Sequence, residues 1–280
     1  MMKINFYDVE HGSCTHIITP NGKHILIDVG SRDNKSIVSH IKNTYFRHNH
    51  YGRIDQLIIT HPHEDHIYDL PALYRELNPK VLHRPIGAFD IVPSKDTPFH
   101  REIADYANKM HNEYNGKVSE SPLEQSNNGG VEIEIISPPF SETTKDDLNT
   151  FSSIIIVKYE GYKFILTGDN PKSILQKTMD INKNDIRQKI AYATVLLAPH
   201  HGRTGEFCED FFKCTNPYLT VVSDKSIVHT TQEETSNVYK GRGAELYGKN
   251  RYVLTTRNDG SITFEVKKNS CTVFLNEEGY

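Results

Sequence analysis

The residues of this chain with the clearest capacity for chemistry lie in one stretch, Thr60-His61-Pro62-His63-Glu64-Asp65-His66. It holds three imidazoles and an aspartate in the order H-x-H-x-D-H, and it directly follows residues 55–59, which predict a buried strand. Imidazole and carboxylate together are the ligands of borderline divalent metals such as zinc, manganese or iron. The chain contains 15 histidines, so the alternative is a polar loop that happens to be rich in histidine. The ordered spacing at the end of a strand favours the metal site.

The spacing within this stretch divides its side chains between two metal positions. In an extended segment, side chains two residues apart point the same way, so His61 and His63 can close on one ion. Asp65 and His66 come where residues 67–70 predict the start of a helix, and they could reach a second ion. The sequence therefore predicts one or two metal ions at the end of this strand.

Polar residues also follow three other apolar runs of the sequence. These residues are Asp28, Asp169 and the pair His200-His201. Functional side chains often gather on loops at one rim of a rigid scaffold, so we expect the four polar groups to meet. Two ions need a shared carboxylate, for which Asp169 is the natural candidate, and either His201 or His200 would complete the second site.

The elements that must position these residues form two β-rich halves. Short strands and turns occupy residues 2–83, and a second set of strands begins at residue 131, with helices in both halves. Residues 84–130 are less patterned, and we interpret them as a cap over one face of a single domain that spans 1–280. A further helix is predicted at about residues 232–247. The expected fold class is a layered α/β arrangement of two sheets covered by helices.

The composition limits the cellular setting and the partners of the chain. At 280 residues it can bury one large core, and its net charge of −4 gives no overall basic footprint of the kind that dedicated duplex-binding proteins show. The four cysteines form no C-x-x-C pair, which supports neither a thiolate zinc site nor a disulfide framework. No run approaches the apolar length of a membrane span, and residues 1–7 predict a strand rather than a secretory signal. We expect a cytoplasmic protein with no membrane partner.

Four motifs resemble, in chain order, those of the metallo-β-lactamase hydrolase superfamily. They are Leu26-Ile27-Asp28, the 61–66 stretch, Leu166-Thr167-Gly168-Asp169 and Pro199-His200-His201-Gly202. Within the superfamily the chain is most similar to the hydrolase domain of the ComEC competence protein and its stand-alone relatives, over about residues 2–266. The features that carry this closer resemblance are Asp8-Val9-x-x-Gly12, Asn149-x-x-Ser152, His229 and Asp259-Gly260-Ser261-Ile262.

The resemblance implies a four-layer αββα sandwich with a metal centre at the edge of its sheets. The implied cofactor is one or two divalent ions, Zn2+ or Mn2+. The implied roles are one ion on His61 and His63, a second on Asp65, His66 and His201, Asp169 as the bridge, and Asp28 behind the ligands, where it fixes the orientation of one of them. Many members have a further histidine ligand where this chain has residues 149–153 without one. The first ion would then be held more weakly, or its shell would be completed by water or substrate.

The chemistry that the resemblance implies is metal-assisted hydrolysis, in which activated water attacks a phosphorus or carbonyl centre. Asp65 and His200 are the catalytic candidates. His200 would stabilise the transition state or protonate the leaving group while His201 binds metal, although the two could exchange these roles. The candidates for substrate contacts are His11, Arg203 and His229. An arginine such as Arg203 can hold a phosphate through two parallel hydrogen bonds.

The leading interpretation is a phosphodiesterase or nuclease that acts on DNA or RNA. One alternative is a hydrolase of a small ester, lactone, thioester or cyclic nucleotide, which the near-neutral charge favours. Another is a regulatory metal-binding subunit with a protein partner in a multi-component assembly. The complete ligand set argues against simple decay of the site.

Overall fold

The computed structural model describes residues 1–31, 35–49, 52–90, 97–116, 121–139, 142–144, 146–181, 183–225 and 235–276. His229, one of the predicted substrate contacts, lies outside these residues. Within the described ranges the chain forms two large sheets, a two-stranded hairpin and ten α-helices. None of these helices combines the length and the apolar content that crossing a bilayer requires.

Strands and helices alternate along most of the chain. The strands are β1 (Met2–Phe6), β2 (Thr15–Ile18), β3 (His24–Ile27), β4 (Gln56–Ile58), β5 (Val81–His83), β6 (Glu132–Ile136), β7 (Ile154–Tyr159), β8 (Tyr162–Leu166), β9 (Val195–Leu197), β10 (Leu219–Val222), β11 (Ala244–Leu246), β12 (Lys249–Arg251), β13 (Val253–Thr255), β14 (Ile262–Lys267) and β15 (Ser270–Leu275). The helices are α1 (Ile37–Tyr45), α2 (Glu64–Ile67), α3 (Leu70–Glu76), α4 (Ile86–Phe89), α5 (Pro98–Glu113), α6 (Lys172–Ile181), α7 (Lys183–Ile190), α8 (Glu209–Thr215), α9 (Thr235–Val238) and α10 (Thr256–Asp259).

The chain passes from the first sheet to the second and later returns to the first. The first sheet has the order β15-β14-β1-β2-β3-β4-β5, the second has β13-β10-β9-β8-β7-β6, and β11 pairs with β12 alone. The chain passes to the second sheet after β5 and returns to the first with β14, which pairs antiparallel with β1. In the first sheet β3, β4 and β5 run parallel to one another, and in the second sheet β8, β9, β10 and β13 do so.

Alternation of side chains along the strands produces four layers. In β3, Ile25 and Ile27 face the core between the sheets, whereas Leu26 faces the outer core beneath α1 and α3. In β7, Ile155 faces the inner core and Ile156 packs toward α6 and α7. These strands are buried on both faces, which explains why they are continuous apolar runs in the sequence. The predicted αββα sandwich is confirmed.

The parallel pairs bring distant polar residues to one edge of the sandwich. Parallel neighbours end at the same edge of a sheet. In the first sheet Asp28 follows β3 and residues 60–66 follow β4, while in the second sheet Asp169 follows β8 and His200 follows β9. All four polar groups found in the sequence therefore lie at the carboxyl ends of adjacent parallel strands.

The predicted cap at residues 84–130 consists, in its described part, mainly of α4 and α5. Helix α5 packs against α3, and its Ile103, Ala107 and Met110 enter the outer core on the first sheet. The segment thus extends the helical layer that covers this sheet.

The helix predicted over about residues 232–247 is wrong. Only the short α9 is helical in the described part of this segment, and the β11–β12 hairpin follows it. A Cβ atom at Gly241 would lie 2.5 Å from the carbonyl oxygen of Pro217, and Gly243 has a φ of +91°. The close approach requires glycine at position 241, and the left-handed backbone at Gly243 ends any helix. The basic residues of the segment therefore lie on a turn and a hairpin.

Phe264 joins the two sheets through edge-to-face contacts. Its ring centroid lies 5.9 Å from that of Phe6 and 5.4 Å from that of Phe164. We expect Phe264→Ala to lower the free energy of unfolding by about 3–5 kcal/mol, because it removes a buried ring and leaves a cavity. Urea unfolding followed by circular dichroism measures this. Ile181→Ala, at a side chain that is 60% exposed, is the control and should cost less than about 0.5 kcal/mol. Equal losses would contradict the role given to Phe264.

Candidate metal centre

Asp28 fixes the loop that carries most of the predicted ligands, residues 60–66 (the ligand loop). Its Oδ1 accepts the N–H of Thr60 at 2.7 Å, and its Oδ2 accepts the Thr60 hydroxyl at 2.8 Å and Nδ1–H of His66 at 2.7 Å. Burial raises the pKa of Asp28, while His66 and Thr60 act in the opposite direction. Because the Nδ1 atom of His66 is bound to Asp28, its Nε2 atom is free to face the site.

Two glycines hold the backbone of Asp65 from outside the ligand loop. A Cβ atom would lie 2.5 Å from the carbonyl oxygen of Asp65 if placed at Gly12 and 2.3 Å from it if placed at Gly30. Gly12 also has a φ of +147°, and the N–H of Ser13 donates to the same carbonyl oxygen at 3.2 Å. Any side chain at either position would push Asp65 away, so the turn after β1 and the turn after β3 together set its place.

Asp169 and His201 come from the second sheet on an unusual backbone. Gly168 has a φ of +53°, and His200 and His201 have φ values of 49° and 55°, a left-handed conformation that costs non-glycine residues free energy. The N–H of His200 donates to the carbonyl oxygen of Gly168 at 3.1 Å. Nδ1–H of His201 donates to the carbonyl oxygen of Ser223 at 2.7 Å, which turns its Nε2 atom toward the site.

Four of the predicted ligands converge on one point: Asp65, His66, Asp169 and His201 (the four-residue group). Each offers one ligand atom, and these atoms all lie within 4.8 Å of one another. Nε2 of His66 is 3.1 Å from Oδ1 of Asp169, and Nε2 of His201 is 3.1 Å from Oδ2 of Asp65. Nε2 of His66 is buried beside the Asp169 carboxylate, but no described residue makes a well-aligned hydrogen bond to it. A buried imidazole nitrogen among carboxylate oxygens fits a divalent cation.

The charges within the four-residue group depend on one another. Burial by itself disfavours every charged form. The pKa values of the two histidines are nevertheless raised, that of His201 to about 10, because Asp169 and Asp65 lie against them. The same contacts hold the pKa values of both carboxyl groups well below their usual range. Without metal, two imidazoliums therefore balance two carboxylates, and a divalent ion must displace their protons.

His61 and His63 lie at the start of the ligand loop, outside the four-residue group. Nε2 of His61 is 3.1 Å from Nδ1 of His63, close to the separation of about 3.3–3.4 Å between two nitrogens on a common tetrahedral zinc ion. Burial, followed by the charge of His66, keeps the pKa of His61 well below its usual range, so this ring is neutral and able to ligate. In the described part of the chain, no third histidine, cysteine or carboxylate joins the pair to form a second metal-binding group.

His11, His200 and Arg203 surround the four-residue group. Nε2 of His11 is 3.6 Å from Oδ2 of Asp65, and Nε2 of His200 is 3.8 Å from Oδ2 of Asp169. Burial is the largest cause that lowers the pKa of both histidines, that of His11 to about 4, and the positive charge of Arg203 lowers both further. At pH 7 the site therefore has two neutral imidazoles and one guanidinium beside the ligands.

Sequence reasoning missed three residues that shape the site: Ser13, Gly30 and Ser223. Ser223 supplies the carbonyl that orients His201, and its Oγ donates to the carbonyl oxygen of Gly12 at 2.7 Å. Both serines line an open cavity of about 210 Å³ above the four-residue group. Their only signal in the sequence is position, since Ser13 follows the Asp-Val-x-x-Gly turn and Ser223 ends an apolar run.

The family model of the metallo-beta-lactamase superfamily matches residues 7–202, which include the ligand loop, Asp169 and His201. The chain belongs to the metallo-beta-lactamase superfamily. The four-residue group is typical of this superfamily, which consists mostly of metal-dependent hydrolases. The superfamily resemblance found in the sequence is thereby confirmed, and the closer likeness to the ComEC hydrolase domain stays a prediction.

Solved structures with a similar fold share little sequence with this metallo-beta-lactamase superfamily member. The metallo-beta-lactamase fold protein YhfI from Bacillus subtilis is 11% identical with a TM-score of 0.49, over 95% of this chain and 100% of that chain. Unliganded PDE1 from yeast is 12% identical with a TM-score of 0.46, over 90% and 97%. Zn2+-bound PqqB from Methylobacterium extorquens is 12% identical with a TM-score of 0.38, over 71% and 72%. No curated protein matches the chain.

Binding of Mn2+ or Zn2+ should stabilise the fold and release protons. At an ion concentration 100 times Kd we expect a stabilisation of about 2.7 kcal/mol. At pH 7 we expect release of up to about two protons, because His66 and His201 must be neutral to ligate. Since the pKa of His201 is raised to about 10, the apparent affinity should increase as pH rises above 7. Thermal unfolding and a pH-indicator dye in weak buffer measure the two effects.

Two variants serve as controls for this measurement. Asp169→Asn should lose most of the stabilisation, because it removes the negative charge of a carboxylate whose two oxygens face the two ligand histidines. His48→Ala, at an exposed histidine, should behave as the unmodified protein. Ion binding without proton release would show that His66 and His201 are not the ligands.

Proposed function

We propose that this protein is a metal-dependent phosphodiesterase that cleaves DNA or RNA, as a stand-alone relative of the ComEC hydrolase domain. The observation that carries the proposal is the set of groups around Asp169: a buried metal-binding cluster, the neutral His200, and the cationic Arg203. A phosphodiester needs a counter-charge for its non-bridging oxygens and a hydrogen-bond donor at its leaving oxygen. An uncharged ester or lactone has no anionic oxygen in its ground state for the Arg203 guanidinium to bind.

Each proposed ligand has a stated support. His61 and His63 would hold a first ion through the nitrogens that lie 3.1 Å apart, and the four-residue group would hold a second. The role of Asp169 as the bridge rests on the superfamily resemblance. Zn2+ and Mn2+ both accept this set of imidazoles and carboxylates. A divalent ion bound there supplies Lewis acidity and lowers the pKa of bound water toward 7.

The other residues would act on the substrate directly. Arg203 is the cation of the site, and it would bind a non-bridging phosphate oxygen. Because His200 is neutral, its N–H would donate a hydrogen bond to charge that develops on the leaving oxygen, so we assign it to transition-state stabilisation. Asp65 stays ionised and would orient the attacking water, while the neutral His11 beside it would contact the substrate.

The turn of the Asp-Val-x-x-Gly motif supports the proposed kinship with ComEC. Gly12 ends this motif, touches the carbonyl oxygen of Asp65 and accepts a hydrogen bond from Ser223. The motif therefore joins a ligand of the first sheet to the strand that orients His201 in the second. The motif therefore helps to position the ligands of the metal centre, in addition to ending strand β1.

A small phosphodiester, a cyclic nucleotide or a small ester is the second candidate substrate. The inner part of the cavity has a volume of about 10 Å³, room for little more than one water molecule, so only a compact reacting group could approach the four-residue group. A scissile phosphate within a nucleic acid strand and an isolated small phosphodiester both satisfy this limit. Comparison of the two substrate sizes therefore decides between the candidates.

The substrate test uses protein loaded with Mn2+ or Zn2+. We expect cleavage of labelled single-stranded DNA or RNA, and slower turnover of bis(p-nitrophenyl) phosphate, since the chromogen lacks the remote contacts of a strand. Asp169→Asn should abolish both activities. If the protein hydrolyses the chromogen but leaves the nucleic acid uncleaved, the nuclease proposal is contradicted and the small substrate is favoured. If cellular function survives in Asp169→Asn while metal is lost, metal-dependent chemistry is not the function of the protein, which favours a regulatory subunit.

His200→Ala tests the assignment of the paired histidines. We expect kcat to fall by about 100-fold or more, as for loss of a transition-state hydrogen bond, while metal content stays unchanged. His201→Ala should instead lower the metal content, because it removes a ligand. Metal analysis of both purified variants beside their kcat values separates the roles. The opposite pattern would show that the two histidines have exchanged them.

A further inference from the structure

Three exposed tyrosines lie at the edge of the sandwich opposite the metal centre. The described residues include six exposed large hydrophobic side chains, and three of these are Tyr192, Tyr218 and Tyr247, which are 72%, 48% and 69% exposed. The N–H of Tyr218 donates to the carbonyl oxygen of Ala193 at 3.2 Å, so the segments of Tyr192 and Tyr218 are adjacent. Tyr247 lies at the tip of the β11–β12 hairpin, whose base is bound to Tyr218 through the N–H of Gly243 at 2.9 Å.

Basic side chains accompany these rings. We call the surface formed by Tyr192, Tyr218, Lys240, Arg242, Tyr247 and Lys249 the tyrosine edge. The Cζ atom of Arg242 lies 3.5 Å from the ring centroid of Tyr218, and Nζ of Lys240 lies 4.4 Å from that of Tyr252. These contacts hold cations against aromatic faces at the surface.

The cations of the tyrosine edge are not neutralised locally. Lys240, Arg242 and Lys249 form no ion pair with any residue that the structure describes, and all three are exposed. The hairpin carries one acidic residue, Glu245, so the surface keeps an excess of positive charge in a chain whose net charge is −4. Such a surface is complementary to an anionic partner.

A second cation–aromatic cluster of the molecule shows the contrast. On α3 and α5, Arg75 lies over Tyr106 and Lys109 over Tyr74. There, Arg75 pairs with Glu102 at 2.7 Å, and the Tyr74 hydroxyl donates to Glu113 at 2.8 Å. Arg75 and Tyr74 of this cluster therefore already have acidic partners within the fold. The tyrosine edge also places cations over aromatic rings, but its cations form no ion pair with a described residue.

We propose that the tyrosine edge binds single-stranded nucleic acid, apart from the metal centre. The inference rests on the proposed nucleic-acid substrate and narrows it to single strands, because exposed rings stack on unpaired bases while cations follow the backbone. Strand β10 runs from beside Tyr218 to beside Ser223, which contacts His201. At about 3.3 Å per residue these ends are roughly 17 Å apart. A bound strand would thus be held at a distance from the scissile phosphate.

The test measures anisotropy of a fluorescein-labelled oligothymidylate with the full chain in EDTA, so that cleavage is absent. Tyr218→Ala and Tyr247→Ala should each raise Kd by about fivefold or more, and Tyr218→Phe should bind as the unmodified protein does. Arg242→Gln should reduce the slope of log K against log salt concentration by about 0.7. Lys109→Ala, from the contrasting cluster, is the matched control and should change neither quantity.

The outcomes separate this inference from the proposed function. Cleavage of DNA or RNA with unchanged binding in the tyrosine variants would overturn the inference and leave the nuclease. Binding that depends on the tyrosine edge, without cleavage by the metal-loaded protein, would support the inference and overturn the nuclease. Equal affinity for duplex and single strand would overturn the inference, because paired bases cannot stack on the rings. No binding and no cleavage would overturn both.

Discussion

Two carboxylates and two imidazoles share one buried space, and the rest of the site depends on keeping them together. Each buried charge costs several kcal/mol unless an opposite charge meets it with good geometry. Asp65 and His66 come from the first sheet, whereas Asp169 and His201 come from the second. Their mutual neutralisation therefore links the two sheets, and it depends on the position of one sheet relative to the other at this edge.

Rigid support behind the ligands makes this arrangement possible. Asp28 holds one ring of the group and the carbonyl oxygen of Ser223 holds the other, so both imidazoles present Nε2 to the same point. The support requires left-handed backbone at Asp28, His200 and His201, which costs of order 1–3 kcal/mol each. The apolar strands on both sides offset this cost, which is why a strained site can persist on this fold.

Much of the fold and of the ligand chemistry could be predicted from the sequence, because both depend on local patterns. The runs that became β3, β4, β8 and β9 are apolar and end in polar residues, and the ligand types stand at fixed spacing. Contacts through the backbone leave no such pattern, so the carbonyl of Ser223 was missed. Strand β15 was missed because its side chains are only partly buried. The prediction of a helix at residues 232–247 was wrong because of two glycines in this segment. The role of such a glycine depends on residues far away in the sequence, as in the close approach of Gly241 to Pro217.

The return of the chain to the first sheet has a consequence for biosynthesis. Strand β1 is made long before its partner β14, because the Thr263 hydroxyl that donates to Asn5 Oδ1 lies 258 positions later in the chain. A ribosome that adds about 5–20 residues per second leaves β1 without this partner for roughly 10–50 s. All of the ligands, the last being His201, are made within that interval. The nascent chain therefore has a full set of metal-binding groups before it has a complete sheet to hold them.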